Sequence, residues 1–361
     1  MKFLKDSKVI VTGHTGFKGG WLSMCLKKLG ANVVGISDCI PTKPNHFEKL
    51  QEVNFIKDYR IDITNLQELK KIIIKEKPDL VFHMAAQALV RESYNNPIKT
   101  FNTNAIGTAN ILESLRAIDK KVVIILITSD KAYDNVEWKW GYRETDLIGG
   151  KDPYSASKGM AELVIKSYLN SYFSKNDNVS LGIARAGNVI GGGDWAKDRI
   201  VPDCVRAWAS NKAVDIRNPH ATRPWQHVLE PLSGYLALAK ELSSNNDLHG
   251  EAYNFGPPAN QNYSVQNLIE EMRKYWKNIA WNDISQNEKL HEANLLKLNC
   301  DKALHDLGWG PTLDFEETVM LTSEWYRKYY TAANSSEVFQ ITSSQIDFYW
   351  KLAKDRNNAW I

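Results

Sequence analysis

The sequence is poor in cysteine, has no long apolar run and carries no excess of one charge. Its 361 residues include four cysteines, Cys25, Cys39, Cys204 and Cys300. No two of them have C-x-x-C or metal-ligand spacing, so neither a disulfide framework nor a metal site is expected. No stretch approaches the ~20 apolar residues of a membrane span. The opening MKFLKDSKVIVTG meets charge too early for a secretory leader. These absences predict a reducing compartment, the cytoplasm, and no membrane partner. Lys and Arg number 45 against 42 Asp and Glu, a formal charge of +3, with no block of five like charges. That balance argues against a nucleic-acid surface. Internal repeats and low-complexity tracts are also missing.

What is present is an ordinary apolar fraction, 43%, in a chain long enough for one large domain or two unequal ones. The 12 tryptophans are many. Several sit beside polar residues (Trp138, Trp140, Trp195, Trp225), which predicts packing roles, with a minority lining a ligand cleft.

The first half alternates strand and helix patterns. Val9–Val11, Asn32–Ile36, Phe55–Ile63, Leu80–His83 and Val122–Thr128 read as strands. Trp21–Leu29, Leu66–Lys75 and Thr100–Ala117 have helical spacing. The order predicts an α/β fold, a Rossmann-type doubly wound parallel sheet. In such sheets ligands bind beyond the carboxyl ends of the strands. After about residue 185 glycines cluster at Gly191–Gly193 and strands shorten (Val214–Ile216, Gln226–Leu229, Ala252–Phe255), with helical stretches at Val265–Tyr275 and Phe315–Tyr329. The division predicted is a dinucleotide domain over 1–185 and a smaller mixed α/β substrate domain over 186–361, interleaved with the first. Ser335–Ile361 has no clear pattern.

Gly13, Gly16 and Gly19 are spaced G-x-x-G-x-x-G immediately after the first strand. A tight turn without Cβ atoms, opening a helix whose free N–H groups meet a pyrophosphate, is the physical content of a dinucleotide-binding turn. The sequence therefore predicts NAD or NADP at Gly13, Thr15, Gly16, Phe17, Lys18 and Gly19. Asp38, just after the second strand, is the candidate for the ribose hydroxyls. Asp62, with Ile63, is the candidate for the adenine; a helix N-cap role near Asn65 competes.

A second group surrounds the end of the fifth strand. Tyr154 and Lys158 are spaced Y-x-x-x-K, one helical turn apart on one face. Oxidising a carbinol requires a base for the hydroxyl proton. A free tyrosine titrates near ~10, so ionisation at neutral pH needs a shift of about 3 units, ~4 kcal/mol. The Lys158 ammonium and a positive nicotinamide are suited to supply it. Thr128 or Ser129 could hydrogen-bond the reacting hydroxyl. Asp130 and Lys131 add an acid and a base, a pair that could expel water from the carbon chain or could be a simple ion pair.

The motifs TGHTGFKGG (12–20), HMAAQALV (83–90), TSDKAY (128–133) and YSASK (154–158) resemble the extended short-chain dehydrogenase/reductase superfamily, its NAD-dependent epimerase/dehydratase family. WGYRETDLIGGKDPYSASKGMAELV (140–164), ARAGNVIGGGDWAKDRIVPD (184–203) and RNPHATRPWQHVLEPLSGYL (217–236) are similar to the CDP-glucose branch of its 4,6-dehydratases. The likeness runs to about Tyr330. It implies bound NAD, a nucleotide-sugar substrate, Tyr154 as base, Asp130 as acid and Lys131 as the group taking the C5 proton. It adds Ala85, Ala86, Gln87 and Asn104 along the dinucleotide, and Arg91, Asn188, Arg199, Arg217, Arg223 and His227 toward the substrate. It also implies a homodimer, or a tetramer, pairing through Thr100–Ala117 and Tyr154–Tyr172, and deoxyhexoses of a bacterial surface polysaccharide downstream. A 4-epimerase or reductase, and a non-catalytic NAD(P)-binding regulator, are the competing readings.

Overall fold

In the computed structural model, residues 1–51, 56–174, 178–276, 279–285, 295–331 and 334–360 are described. The first six strands are β1 (Lys8–Thr12), β2 (Asn32–Ser37), β3 (Lys57–Arg60), β4 (Leu80–His83), β5 (Val122–Ile127) and β6 (Val179–Ala186). All are parallel, in the order β3-β2-β1-β4-β5-β6, and Ala252–Phe255 extends the sheet beyond β6. The run VVIILI of β5 shows why: β-branched side chains on both faces suit a strand covered on both sides. Phe55, the start of the expected third strand, lies outside the described residues. The observed β3 is a shorter, half-exposed edge.

The strand order reverses between β1 and β4, so the loops after them diverge and leave a crevice. Helix α1 (Phe17–Lys28) leaves the β1 loop. Helices α2 (His46–Gln51), α3 (Leu66–Glu76), α4 (Val90–Asn95) and α5 (Pro97–Phe101) follow. The expected single helix over Thr100–Ala117 is α5, then a wider π turn at Asn102–Ile106, then α6 (Gly107–Leu115). Helix α7 (Pro153–Tyr168) starts at Asp152, whose carboxylate accepts from the Tyr154 and Ser155 N–H groups.

Beyond β6 come α8 (Ile200–Ala209) and α9 (Leu229–Leu242). The expected strand Gln226–Leu229 is two residues long, and α9 takes over at Leu229. Helix α9 packs on β5 and β6, so this part of the chain returns to the sheet. Helices α10 (Val265–Met272), α11 (Asp301–Leu307) and α12 (Phe315–Thr331) complete the second half. The segment without a clear pattern is a 21-residue helix, α13 (Ser335–Asp355). It docks through Thr342, which bonds His46 Nε2 at 3.1 Å and Trp325 Nε1 at 3.0 Å. Tyr349 adds a hydroxyl to the buried Glu230 carboxylate, which also accepts from the Thr312 and Leu313 N–H groups. Among the described residues no helix is long and apolar enough to cross a membrane.

Candidate active site

The glycine turn closes on itself at the carboxyl end of β1. Gly13 has φ +74, and a Cβ there would come within 2.8 Å of the Ala85 backbone. A Cβ on Gly19 would approach the Gly13 carbonyl to 2.2 Å. The turn and the β4 loop therefore touch only because side chains are missing, which gives a cradle open to a phosphate. No side chain caps α1 at Gly16, so its first N–H groups stay available to an anion. These features fit a dinucleotide pyrophosphate.

The side chains flanking the turn brace it. Thr15 Oγ1 bonds Ser37 Oγ and the Cys39 carbonyl, each at 2.8 Å, and its carbonyl accepts from Asn45 Nδ2 at 3.1 Å. Thr12 Oγ1 bonds His83 Nδ1 at 2.8 Å and accepts from the Met84 and Ala85 N–H groups. Asn104 accepts from the Gln87 N–H and donates to the Gln87 carbonyl and Ser157. Its amide is thus consumed in pinning the 84–87 loop to α7, and Asn104 reaches the crevice only through that loop. Asp38 is exposed at the end of β2. Asp62 accepts from the Thr64 N–H at 2.8 Å, a turn-forming role ahead of α3, and Ile63 is buried.

At the end of β5 the candidate chemical groups come together. Ser129 Oγ donates to Asp130 Oδ1 at 2.9 Å, accepts from the Lys131 N–H at 3.2 Å and hydrogen-bonds toward Tyr154. Asp130, Tyr154 and Lys158 are all buried, and Lys131 is half-buried. Burial raises the Asp130 pKa, against the charges of Lys131 and Lys18 and the Ser129 bond. A carboxyl that retains its proton is what an acid requires.

Tyr154 goes the other way from the expectation. Burial pushes it up to about 12, with the Ser129 bond and Arg199 opposing and Asp130 and Asp152 adding to the rise. Burial lowers Lys158 to about 8, opposed by Glu162. One turn of helix between Tyr154 and Lys158 does not outweigh the desolvation of a phenolate.

The expected substrate residues divide. Arg199 donates to Asp194 at 2.7 Å, and its charge is felt at Tyr154 and at Lys18, itself lowered to about 8, chiefly by burial. Arg217 and Arg91 converge on Asp198, at 3.3 and 3.7 Å. Asn188 is exposed; Arg223 is half-buried and donates to the Thr222 carbonyl. His227 is fully buried beneath α1, edge-on to Trp21 at 5.8 Å, with burial lowering it to about 3. It belongs to the core, which removes it from the substrate set. Trp195 and Trp225 are buried as well, while Trp140 is 70% exposed.

A buried network behind the site was missed. Glu162, on α7, accepts from Thr128 at 2.7 Å and from Arg185 at 2.6 and 2.7 Å. Arg185 also donates to Tyr133, which donates to Asn254. The network locks the end of β5, and with it Ser129 and Asp130, to the helix carrying Tyr154 and Lys158. Thr128 is turned into this network and away from the crevice. The signal was a lone arginine inside the apolar strand LGIARA and a glutamate one turn beyond Lys158. Glu162→Gln leaves Arg185 buried with no anionic partner, so a loss of about 3–5 kcal/mol is expected in denaturant melts.

Residues 10–322 match the family model described as GDP-mannose 4,6 dehydratase. The chain belongs to that family. A curated member, CDP-glucose 4,6-dehydratase of Salmonella typhimurium, is 45% identical over 329 residues, covering 90% of this chain and 92% of that one. UDP-glucose 4-epimerase of Mycoplasma genitalium is 23% identical, over 91% and 98%. Among solved structures, a UDP-glucose 4-epimerase of Thermotoga maritima with UDP-glucose has a TM-score of 0.76 at 24% identity, covering 89% of this chain and 99% of that one. A UDP-glucuronic acid 4-epimerase of Bacillus cereus, solved with UDP-glucuronic acid and NAD, has the same TM-score at 22% identity, over 89% and 99%. These structures share the fold. Membership in the GDP-mannose 4,6-dehydratase family makes the enzyme class that of nucleotide-sugar hydro-lyases.

Proposed function

We propose that the chain dehydrates CDP-D-glucose to CDP-4-dehydro-6-deoxy-D-glucose in the cytoplasm, using NAD that stays bound through each turnover. The reaction type is supported by one observation above the rest: a buried carboxyl, Asp130, biased toward its protonated form and bridged by Ser129 to Tyr154. A 4-epimerase or a simple reductase needs Tyr154 and Lys158 but no such acid. The choice of CDP-glucose is supported by the 45% identity with the Salmonella enzyme.

In this reading NAD, when bound, supplies the acceptor for the C4 hydride and the donor that refills C6. Gly13–Gly19 and the 84–87 loop hold its pyrophosphate and orient it. Tyr154 takes the O4 proton, with Ser129 fixing the hydroxyl and Lys158 close by as a cation. The resulting 4-ketone acidifies C5–H. The Lys131 amine takes that proton, Asp130 gives its own to O6, the C6–O6 bond breaks and water leaves; when C6 regains the hydride, Lys131 returns the proton to C5. Arg199, anchored by Asp194, and Arg217, anchored by Asp198, face the substrate diphosphate.

The assay is incubation with CDP-, UDP-, GDP- and dTDP-glucose without added reductant. A 4-keto-6-deoxy product from CDP-glucose is expected; turnover of another nucleotide sugar in its place refutes the base assignment.

The family likeness also points to a dimer. Ile98, Ile106, Met160 and Leu163 are 70%, 48%, 41% and 64% exposed on α5, the π turn and α7, which pack together. A face with this much exposed apolar surface suits a helical interface. Leu163→Glu should turn the dimer into monomer in sedimentation; a wild-type monomer refutes the interface.

A further inference from the structure

Helix α13 takes no part in the mechanism above, yet a short chain of buried hydrogen bonds ties it to the glycine turn. The Thr342 hydroxyl donates to the Val338 carbonyl at 2.8 Å and accepts from Trp325 Nε1 at 3.0 Å. With its own proton so used, it accepts from His46 Nε2 at 3.1 Å. His46, on α2, is buried against the first turn of α1. Glycines make room for it: a Cβ on Gly20 would be 3.2 Å from its Nδ1, and one on Gly193 would be 2.8 Å from its Cβ. The preceding residue, Asn45, is also buried and caps α2, its Oδ1 accepting from the Glu48 N–H at 3.2 Å. Asn45 Nδ2 donates to the Thr15 carbonyl at 3.1 Å.

That carbonyl belongs to the peptide group just before α1. The other end of the same group, the Gly16 N–H, donates to the Gly13 carbonyl at 3.0 Å. The Thr15–Gly16 plane is thus held at both ends. Gly16 has no Cβ to restrict the plane, and the uncapped N–H groups of α1 follow directly from it. Rotation of the plane changes where those groups point, and so their fit to a pyrophosphate. Helix α13 holds the far end of α1 as well: Lys28 donates to Ser343 at 2.7 Å and to Asp347 at 3.0 Å.

We propose that α13 keeps the cofactor turn in its binding shape through Thr342, His46 and Asn45, and so sets how tightly NAD is retained. The three are positioning residues that act through the Thr15 carbonyl. A turn already fixed in one shape loses less freedom on binding. A turn that visits other shapes binds more weakly, by the fraction of time it is competent.

The proposal rests on NAD binding at the turn, and the test separates the two. Asn45→Ser keeps a cap for α2 but is too short to reach Thr15. Thr342→Val removes one hydroxyl from α13 at nearly constant shape. Stripped of cofactor and titrated with NAD, both variants should bind about five- to tenfold more weakly than wild type, as for one lost hydrogen bond. They should release NAD correspondingly faster. ADP-ribose, which carries the pyrophosphate without the nicotinamide, should lose as much. His46→Leu should match Thr342→Val, and His46→Gln, whose amide can still donate to Thr342, should recover most of the affinity. Because the residues act in series, adding Thr342→Val to Asn45→Ser should weaken NAD little further. A purely structural role would lower the melting temperature of the stripped variants and leave their NAD affinity at the wild-type value. That result, or additive losses in the double variant, overturns the proposal. Failure of the wild-type protein to bind NAD or ADP-ribose would instead overturn the cofactor reading beneath it.

Discussion

Asp130→Asn should reduce dehydration by about 10²- to 10⁴-fold, the range for loss of a positioned general acid, while leaving C4 oxidation nearly intact. Asparagine keeps the shape and can still accept from Ser129, which donates to Asp130 at 2.9 Å. It cannot give a proton to O6. The variant should therefore stall after oxidation, with C5 still exchanging in deuterated water and with the reduced nicotinamide absorbance accumulating in a single turnover. A uniform slowing of oxidation and elimination would contradict the role. The pH sense follows from the same geometry. Burial raises the Asp130 pKa, so the reactive neutral form is favoured at low pH and lost as pH rises through that value. Elimination should fail on the alkaline side.

Tyr154→Phe should cost as much or more, and at an earlier step. Loss of the general base predicts a drop of about 10²- to 10⁴-fold in C4 oxidation, with dinucleotide retained, because the glycine turn is built from backbone. The protein alone pushes Tyr154 up to about 12 and Lys158 down to about 8. At pH 7 Lys158 is still mostly charged and Tyr154 neutral. Ionisation of the phenol thus waits for positive charge placed against it. A tyrosinate band present in wild type and absent in Tyr154→Phe should appear at lower pH in dinucleotide-loaded protein than in stripped protein. Equal titration in both forms would contradict this.

The sheet was legible because β1, β4 and β5 are apolar on both faces, which leaves a continuous signal in sequence. The C-terminal helix was not. Its buried stripe mixes Val338, Ile341, Ile346 and Tyr349 with Ser335, Thr342 and Gln345. Apolar periodicity passes over those polar positions, although Thr342 and Gln345 are buried by hydrogen bonding to Trp325 and the Leu321 carbonyl. Asn334, accepting from the Glu337 N–H, was the one start signal available. In the site, the Tyr154–Lys158 spacing and the Asp130 pair could be read directly from the chain. The direction of the Tyr154 shift could not, since it depends on burial. Nor could the burial of His227 or the bracing of Arg91 and Arg217 by Asp198, which join residues far apart in sequence.

The most direct test of the whole account is the fate of a single atom. CDP-glucose carrying deuterium at C4 should be converted, without added reductant, to a 4-keto-6-deoxy product with that deuterium at C6. One turnover would then have removed the hydride and returned it within the same bound complex. Product lacking the label at C6, or label merely inverted at C4, would contradict it.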